Sequence, residues 1–272
     1  MAIITISRGS FSGGKSLAEC TAAKLGYKCI SREELVDAAV RRYRVPEQKL
    51  QDALTGKPGL LDRLINEKSH YLLCLRAALV RMVKDEKSIY HGHAGHLLLK
   101  GVPHLIRVRV IASMAFRTEA VMKSRHLDSR SAVEYIEKVD AERNEWTRFL
   151  YHIDWNDPSQ YDLVLNIDRL GISDACEVVS RVASLEQYRP NRESRLELEN
   201  ASLSTEVRAV IACDAARKGV ADAGVEVGAE NGIVTVKGTV ASLEDAERMR
   251  ELIRAVPGVI AVDSRIEVWP HW

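Results

Sequence analysis

Residues 9–16 read Gly9-Ser10-Phe11-Ser12-Gly13-Gly14-Lys15-Ser16, and they are the strongest indication of the fold. It fits the pattern G-x-x-x-x-G-K-[ST] at every position. An apolar run, residues 2–7, precedes it, and a stretch of helical character follows. A glycine-rich loop between a buried strand and a helix is the context in which this pattern binds the phosphates of a nucleotide. The sequence therefore predicts a P-loop.

Each residue type in the loop has a physical role. Glycines at 9, 13 and 14 allow the backbone to curl, so that successive N–H groups, including that of Ser12, point at a phosphate. The positive end of the following helix adds to this field. Lys15 is expected to reach the β- and γ-phosphates, and Ser16 to place its hydroxyl on Mg²⁺. We therefore expect ATP and Mg²⁺ as cofactors.

Short apolar segments alternate with helical patterns through the first two thirds of the chain. Five candidate strands occupy residues 2–7, 27–30, 88–91, 105–112 and 161–167. Capping-box patterns begin helices at Ser31 (with Glu34) and at Ser131 (with Glu134), and a long helix is expected from about residue 60 to 85. Short apolar strands suit a parallel sheet covered on both faces. The alternation predicts an α/β fold with a doubly wound sheet.

A second, smaller unit is expected after a change of composition. Residues 188–201 are charged, contain a proline and show little apolar periodicity, as is typical of a linker. Beyond them the pattern is helix, strand, strand, helix, strand, with Asn231-Gly232 marking a β-hairpin turn. We predict domains at residues 1–187 and 202–272. In the second, Gly238 is expected to permit a bulge or a close backbone approach.

Composition excludes several classes of protein. The 272 residues are 46% hydrophobic and 28% charged, which argues against a disordered chain. A net charge of +1 disfavours nucleic-acid binding through phosphate neutralisation. No apolar run reaches the roughly 18 residues of a spanning helix, and the amino terminus does not resemble a signal peptide, so a cytoplasmic location is expected. The five cysteines are widely spaced, which suggests neither a disulfide framework nor a zinc site.

Two segments resemble the cytidylate kinase-like family of small nucleoside monophosphate kinases. They are IITISRGSFSGGKSLAECTAAKLGYKCISREEL near the start and DAERNEWTRFLYHIDWNDPSQYDLVLNI later. The resemblance spans roughly residues 1–185. It implies a five-stranded parallel sheet with a mobile helical lid, and ATP-dependent phosphoryl transfer to a nucleoside monophosphate, with CMP or dCMP as the first acceptor to test. Arg117, Asp140 and Arg143 match the family's lid and catalytic pattern; Arg125, Arg130 and Arg148 match it less well.

The acceptor region departs from the family pattern. Ser31 precedes Arg32 where an acidic residue is common, and the segment from Tyr90 to His96 replaces a Gly-Arg pair, with His93 as the nearest equivalent. Arg32 and His93 are therefore the candidate acceptor contacts. Three readings of His93 and its neighbours stay open: acceptor contact, ordinary packing, or a metal site, which the spacing disfavours. Trp146, Tyr151 and Trp155 are expected in the core rather than stacked on a base.

The last 70 or so residues closely resemble a BON domain, a module associated in other proteins with phospholipid or membrane attachment. Three roles stay open here: protein interaction or self-association, binding of a small regulatory ligand, and lipid contact. Two alternatives to a nucleoside monophosphate kinase are also open. One is a kinase of another small metabolite, and the other is a nucleotide sensor whose kinase fold acts on the second domain without turnover.

Overall fold

The computed structural model describes residues 2–55, 63–85, 87–218 and 224–269. The strands are β1 (Ile3–Arg8), β2 (Lys28–Ser31), β3 (Ser88–His91), β4 (Leu105–Ile111), β5 (Leu163–Asn166), β6 (Glu226–Glu230), β7 (Ile233–Val240) and β8 (Ala261–Val268). The helices are α1 (Gly14–Leu25), α2 (Arg32–Tyr43), α3 (Glu47–Thr55), α4 (Arg63–Val83), α5 (Gly95–Leu98), α6 (Met114–Arg125), α7 (Ser129–Tyr151), α8 (Ile167–Ala183), α9 (Arg192–Lys218) and α10 (Leu243–Arg254).

The first five strands form one parallel sheet in the order β2-β3-β1-β4-β5. β1 lies at its centre, between β3 and β4. In such a sheet the carboxyl ends of all strands meet at one edge, and a ligand binds where the strand order reverses. That point lies beside the end of β1. The predicted doubly wound α/β fold is confirmed, and the predicted P-loop lies at the binding edge.

Alternation along β1 divides the core into two layers. Ile3 packs with α2, α3 and α4 on one face, whereas Ile4 and Ile6 pack with α1 and α8 on the other. All three isoleucines are fully buried. Burial on both faces explains why the parallel strands read as apolar runs rather than as an alternating pattern.

Two helix boundaries differ from the sequence-based expectation. The long helix α4 ends at Val83, and residues 60–62 of its expected start lie outside the described residues. α7 begins at Ser129 rather than at Ser131, because the side chain of Asp128 accepts the Ser131 N–H at 2.9 Å and caps the helix. By contrast, the capping box of Ser31 and Glu34 is formed as expected, with both reciprocal hydrogen bonds present.

The second sheet has the order β6-β7-β8 and is flanked by α9 and α10, as the pattern predicted. Asn231 and Gly232, both with positive φ (50° and 82°), form the hairpin turn between β6 and β7. Gly238 has φ 152°, and a Cβ there would lie 2.7 Å from a methyl of Val225. The expected close approach at Gly238 is therefore present.

α9 runs through part of the segment expected to be a linker. Residues 192–201 are helical and continuous with the first helix of the second unit. Leu198 is buried and joins the core formed by α2, α3 and α4, as do Ala209 and Cys213. The polar character of 188–201 thus reflects a helix with a narrow buried face. No helix in the described residues has the length and apolar character needed to cross a membrane.

A cluster of polar contacts around the buried Glu206 joins the two units. Glu206 on α9 accepts hydrogen bonds from Arg42 Nε at 2.8 Å and from the Tyr43 hydroxyl at 2.7 Å, both at the end of α2. Glu206 is only 8% exposed. Burial and the nearby Glu206 carboxylate raise the pKa of Tyr43 well above its usual value. The opposite end of α2, at Arg32, lies at the binding edge of the first sheet.

Candidate active site

The phosphate-binding loop is held in shape by its own polar groups. The Ser12 hydroxyl donates to the carbonyl oxygens of Gly9 (2.9 Å) and Val110 (3.2 Å), and it is fully buried. Gly13 has φ 79° and stands at the N-cap of α1, a conformation that favours glycine. The Ser12 side chain therefore supports the loop, and its backbone N–H also donates within the loop, to the Gly9 carbonyl oxygen at 3.3 Å.

The packing of Arg8 explains why residue 14, the second of the consecutive glycines Gly13 and Gly14, has no side chain. A Cβ on Gly14 would lie 2.8 Å from Cβ and Cδ of Arg8, so the Arg8 side chain can cross the start of α1 only because residue 14 has none. Gly9 is less crowded; a Cβ there would lie 3.6 Å from the guanidinium carbon of Arg117. The glycines thus serve the packing of two arginines as well as the curvature of the loop.

Lys15 and Ser16 are the two exposed residues at the start of α1. The Lys15 ammonium lies 3.7 Å from the Glu19 carboxylate, and the side chains are 63% and 56% exposed. An exposed i,i+4 pair at that distance contributes at most a few tenths of a kcal/mol. The contact therefore does not fix the ammonium away from the loop.

Arg117, Asp140 and Ser10 form a network beside the loop. Arg117 Nε donates to the Ser10 carbonyl oxygen at 2.7 Å, and Nη2 donates to the Asp140 carboxylate at 2.5 Å. The other oxygen of Asp140 accepts from the Ser10 hydroxyl at 3.0 Å. Arg117 is 12% exposed on its side chain. α6 and α7, which occupy the lid position, are thereby tied to the P-loop.

A cationic cleft of about 440 Å³ opens next to this network. Arg8, Arg32 and Arg143 line it from three elements, the end of β1, the start of α2 and α7. Arg143 donates to the Arg8 carbonyl oxygen at 3.3 Å. Glu33 and Glu142 also line the cleft, together with Arg125. The arrangement is suited to an anionic ligand beside the phosphate-binding loop.

Burial makes these cations costly without a ligand. Desolvation, with a further contribution from neighbouring arginines, lowers the pKa of Arg143 to about 10. Desolvation likewise lowers the pKa of Arg8, and the Arg32 charge acts in the same direction. An anion in the cleft would offset the repulsion between Arg8, Arg32 and Arg143. Strongly perturbed groups in a cleft are typical of a functional site.

His93 lies in the wall of the cleft between two indole rings. Its ring centroid is 4.9 Å from that of Trp146 and 5.3 Å from that of Trp155. The residue is 7% exposed, and both ring nitrogens lack a hydrogen-bond partner among the described residues. Desolvation, with the nearby Arg143 charge, lowers the pKa of His93 well below its usual value. His93 is thus a neutral imidazole with one donor and one acceptor to offer.

The other two histidines of the segment have different surroundings. His96 Nδ1 lies 3.0 Å from the Ser7 hydroxyl, and desolvation lowers its pKa to about 4. Burial also lowers the pKa of His91, at the end of β3. The described residues contain no group of three or more metal-ligating side chains, so a metal site at these histidines has no geometric support.

The remaining arginine and aromatic candidates differ in whether they line the cleft, form exposed ion pairs or pack in the core. Arg125 lies over the Tyr135 ring at 4.3 Å and lines the cleft, whereas Arg130 and Arg148 form exposed ion pairs with acidic neighbours. Trp146 and Trp155 are both 2% exposed, as expected for core residues. Of the three weaker lid arginines, only Arg125 lies at the cleft.

Arg8 and Arg109 are the residues that sequence reasoning missed. Arg109 stacks on Trp155 at 4.5 Å and donates to its carbonyl oxygen at 2.6 Å, so it supports the wall that holds His93. Arg8 immediately precedes the first glycine of the loop, at the carboxyl end of the central strand. That position was a usable signal, since strand ends at this edge carry ligand contacts.

The fold and the cleft define a P-loop α/β protein of the kinase type. The profile of the cytidylate kinase-like family matches residues 3–169, more than half of the chain, and the chain belongs to that family. The BON domain profile matches residues 200–270. Both resemblances seen in the sequence are confirmed. The domain limits at 187 and 202 stay a prediction. No curated protein matches the chain.

A solved structure of similar fold covers about two thirds of this chain, and two others are more distantly similar. An uncharacterized protein from Eubacterium ventriosum is 19% identical, with a TM-score of 0.52 over 66% of this chain and 97% of its own. Shikimate kinase from Bacteroides thetaiotaomicron is 11% identical (TM-score 0.43; 68% and 99% covered). A gluconokinase from Sinorhizobium meliloti is 17% identical (TM-score 0.41; 67% and 93% covered). At these identities the likeness concerns the fold and not the substrate.

Proposed function

We propose that the protein transfers the γ-phosphoryl group of ATP to a nucleoside monophosphate, with CMP or dCMP as the first acceptor to test. The observation that carries this proposal is the juxtaposition of the P-loop with the cleft of Arg8, Arg32 and Arg143. One site suits a polyphosphate donor and the other suits an anionic acceptor. Membership of the cytidylate kinase-like family supports the same reaction.

On the donor side, the backbone N–H groups of residues 13–16 bind the phosphates, since those of Gly9, Ser10 and Ser12 already donate within the protein. The N-terminus of α1 adds its dipole. The Lys15 ammonium turns from the exposed Glu19 toward the β- and γ-phosphates. Since its present contact is weak, this movement has little energetic cost. Bound Mg²⁺ would neutralise charge on the phosphates, and Ser16 supplies one hydroxyl for it.

The residues present fit Mg²⁺ only as a metal bound largely through the phosphates. Ser16 is exposed at the loop, but the described residues hold no cluster of acidic, histidine or cysteine ligands. Mg²⁺ commonly binds kinases in this way, with few protein ligands and several waters. The Asp140 carboxylate is already engaged by Arg117 and Ser10, so we assign it to holding the lid on the loop.

The arginines stabilise charge on the group in transit. Phosphoryl transfer needs little covalent chemistry from the protein, so positioned cations account for most of the rate. Arg143 lies between loop and cleft, in hydrogen-bond contact with the Arg8 carbonyl. Arg117 lies against Gly9 and Ser10. These contacts beside the loop support a role for both arginines in stabilising the transferred phosphoryl group.

On the acceptor side, Arg32 and Arg8 bind the anion and His93 contacts a neutral polar edge. The pKa of His93 is lowered by burial, so at neutral pH it can donate one hydrogen bond and accept one. A nucleobase edge presents such a pair of groups. Trp146 and Trp155 hold the imidazole in place through ring contacts.

A panel of acceptors tests the proposal. The purified full-length protein is incubated with Mg-ATP and each of the common ribo- and deoxyribonucleoside monophosphates, and diphosphate formation is measured. Turnover of one or more acceptors that disappears in Lys15→Ala supports the kinase. ATP hydrolysis or no reaction with every monophosphate contradicts it.

Two other functions, a kinase of another small metabolite and a nucleotide sensor, are also compatible with the residues of the cleft. His93 stands where the family has an arginine, which favours a kinase of another small anionic metabolite. Turnover of a phosphorylated sugar or a hydroxy acid, but of no nucleotide, would identify that case. Tight Mg-ATP binding without any product would identify a nucleotide sensor acting on the BON domain through α2 and α9.

A further inference from the structure

The second sheet ends in a strand whose outer edge has no partner strand among the described residues. β8 is the last strand of the order β6-β7-β8 and pairs with β7 alone, in an unbroken parallel register from Ala261 to Val268. Its sequence, AVDSRIEV, contains no proline, glycine or lysine, and the register shows no bulge, so the charges of Asp263, Arg265 and Glu267 are its main protection. Natural proteins commonly use such devices to prevent strands from pairing edge to edge.

The opposite edge of the same sheet is better protected. β6 has five residues, includes Gly228 and carries a glutamate at each end. A short strand with a glycine and like charges pairs poorly with a further strand. The contrast directs attention to β8 as the edge that is free to bind.

The backbone of β8 offers regular hydrogen-bonding groups on that edge. Trp269 N donates to the Val240 carbonyl oxygen at 2.9 Å, so odd-numbered residues of β8 face β7. Residues 262, 264 and 266 therefore direct their N–H and C=O groups outward. An antiparallel copy of the same strand, related by a two-fold axis at Ser264, would satisfy all of them with about six main-chain hydrogen bonds.

Side chains favour this register over its neighbours. With the axis at Ser264, Asp263 lies opposite the partner's Arg265, and Val262 lies opposite the partner's Ile266. An axis at Arg265 would place two arginines together, and an axis at Asp263 would place two aspartates together. Like charges directly opposite each other are destabilising. Within one chain Asp263 and Arg265 already form an ion pair at 2.7 Å, which the second copy would extend to four charges.

Ser264 stands at the axis of this register, on the sheet face that also carries Val262 and Ile266. Its hydroxyl oxygen is buried within the single chain and has no hydrogen-bond partner among the described residues. A buried hydroxyl without a partner is costly. Rotation of the side chain toward the axis would let it hydrogen-bond to the same hydroxyl of the second copy, as opposite serines on paired strands can do.

We infer that β8 pairs with β8 of a second copy of this chain, with the axis at Ser264, so that the BON domains join two kinase domains through a continuous six-stranded sheet. The partner is identified by the match of Asp263 to Arg265 across the axis. In the joined sheet the two β8 strands lie at the centre and a β6 strand lies at each edge. Because β6 pairs poorly with a further strand, assembly stops at a dimer. The pairing does not depend on the phosphotransfer reaction.

Charge reversal tests the pairing and its register together. Asp263→Arg would place two arginines opposite each other across the axis, and Arg265→Asp would place two aspartates together, so each variant alone should dimerise much more weakly than the wild type. A mixture of the two variants restores opposite charges at both positions and should dimerise. The double variant Asp263→Arg/Arg265→Asp should dimerise by itself. Sedimentation velocity on the full chain from ~1 to ~200 μM measures each case.

Wild-type protein should show a sedimentation coefficient that rises with concentration over that range. Each single variant should show at least a tenfold weaker association, and the mixture should regain it. Circular dichroism and thermal melting verify that the variants fold. A wild type that stays monomeric, single variants that associate like the wild type, or a mixture that stays monomeric would each overturn the inference.

Discussion

Replacing Arg143 with methionine should stabilise the free protein while removing its activity. Methionine keeps much of the length and apolar volume of the side chain but has no charge. Desolvation holds the pKa of Arg143 at about 10, against 12.5 for an unperturbed arginine. At neutral pH the group is charged in both the folded and the unfolded chain, so this difference corresponds to a cost of roughly 3 kcal/mol in the folded state.

The variant also loses a favourable contact. Arg143 donates to the Arg8 carbonyl oxygen at 3.3 Å, a bond that contributes about 1 kcal/mol. The net expectation is a gain of about 1–2 kcal/mol in the free energy of unfolding, or roughly 2–6 °C in melting temperature. Phosphoryl transfer should fall by about 10²–10³, as for the loss of one positioned donor.

Two measurements test this prediction. Thermal melting is recorded with and without pyrophosphate, which should stabilise the wild type and have a smaller effect on Arg143→Met. Product formation is measured with whichever acceptor the wild type uses. Arg130→Met is the matched control, because Arg130 is 90% exposed in its pair with Glu134. A marked loss of stability in Arg143→Met, or activity equal to that of the wild type, would refute the electrostatic account of the cleft.

Three further perturbations have defined outcomes. Lys15→Met should lower kcat/KM for Mg-ATP by at least about 10²-fold. Glu19→Gln should leave it unchanged, because the exposed ion pair of Lys15 and Glu19 contributes little. A loss of activity in both variants would show that the ion pair itself is needed. The pKa of His96 is about 4 in the folded chain and 6.5 in the unfolded chain. As the pH falls below 6.5, the unfolded chain therefore binds a proton at His96 that the folded chain does not, and the free energy of unfolding decreases. This effect lowers the free energy of unfolding by about 2 kcal/mol between pH 7 and pH 5. Urea unfolding at both pH values should show a decrease that is smaller by about that amount in His96→Gln than in the wild type. Glu206→Gln removes the carboxylate that binds the Arg42 guanidinium and the Tyr43 hydroxyl, and it should cost about 1–2 kcal/mol in chemical denaturation. The exposed Glu199→Gln should cost almost nothing, and equal effects would contradict a stabilising role for the Glu206 contacts.

Much of the first domain could be predicted from the sequence, because the patterns that indicate its elements involve residues close together in the chain. The loop at 9–16, the apolar strands and the Ser31 capping box each depend on neighbours in sequence, and all are present in the structure. The Asn231-Gly232 turn was readable for the same reason. Local patterns of this kind are strong because turn and cap chemistry leave few alternatives.

What the sequence could not show depends on contacts between distant segments. Residues 192–201 read as a linker because only Leu198 of that stretch is buried, and the surface that covers it belongs to a helix more than a hundred residues earlier. The cluster of Arg8, Arg32 and Arg143 brings together three elements, and burial between two tryptophans is the main cause of the lowered pKa of His93. The spacing of these residues along the chain does not show that they meet in one cleft.

We infer that residues 9–16 bind the phosphates of a nucleotide beside a cationic acceptor cleft. A crystal structure of the full chain with ADP, Mg²⁺ and CMP would show whether they do. We predict the β-phosphate within hydrogen-bond distance of the backbone N–H groups of the loop, and the CMP phosphate in contact with Arg8, Arg32 or Arg143. A nucleotide bound elsewhere, or a loop that stays without phosphate at saturating ADP, would contradict the account.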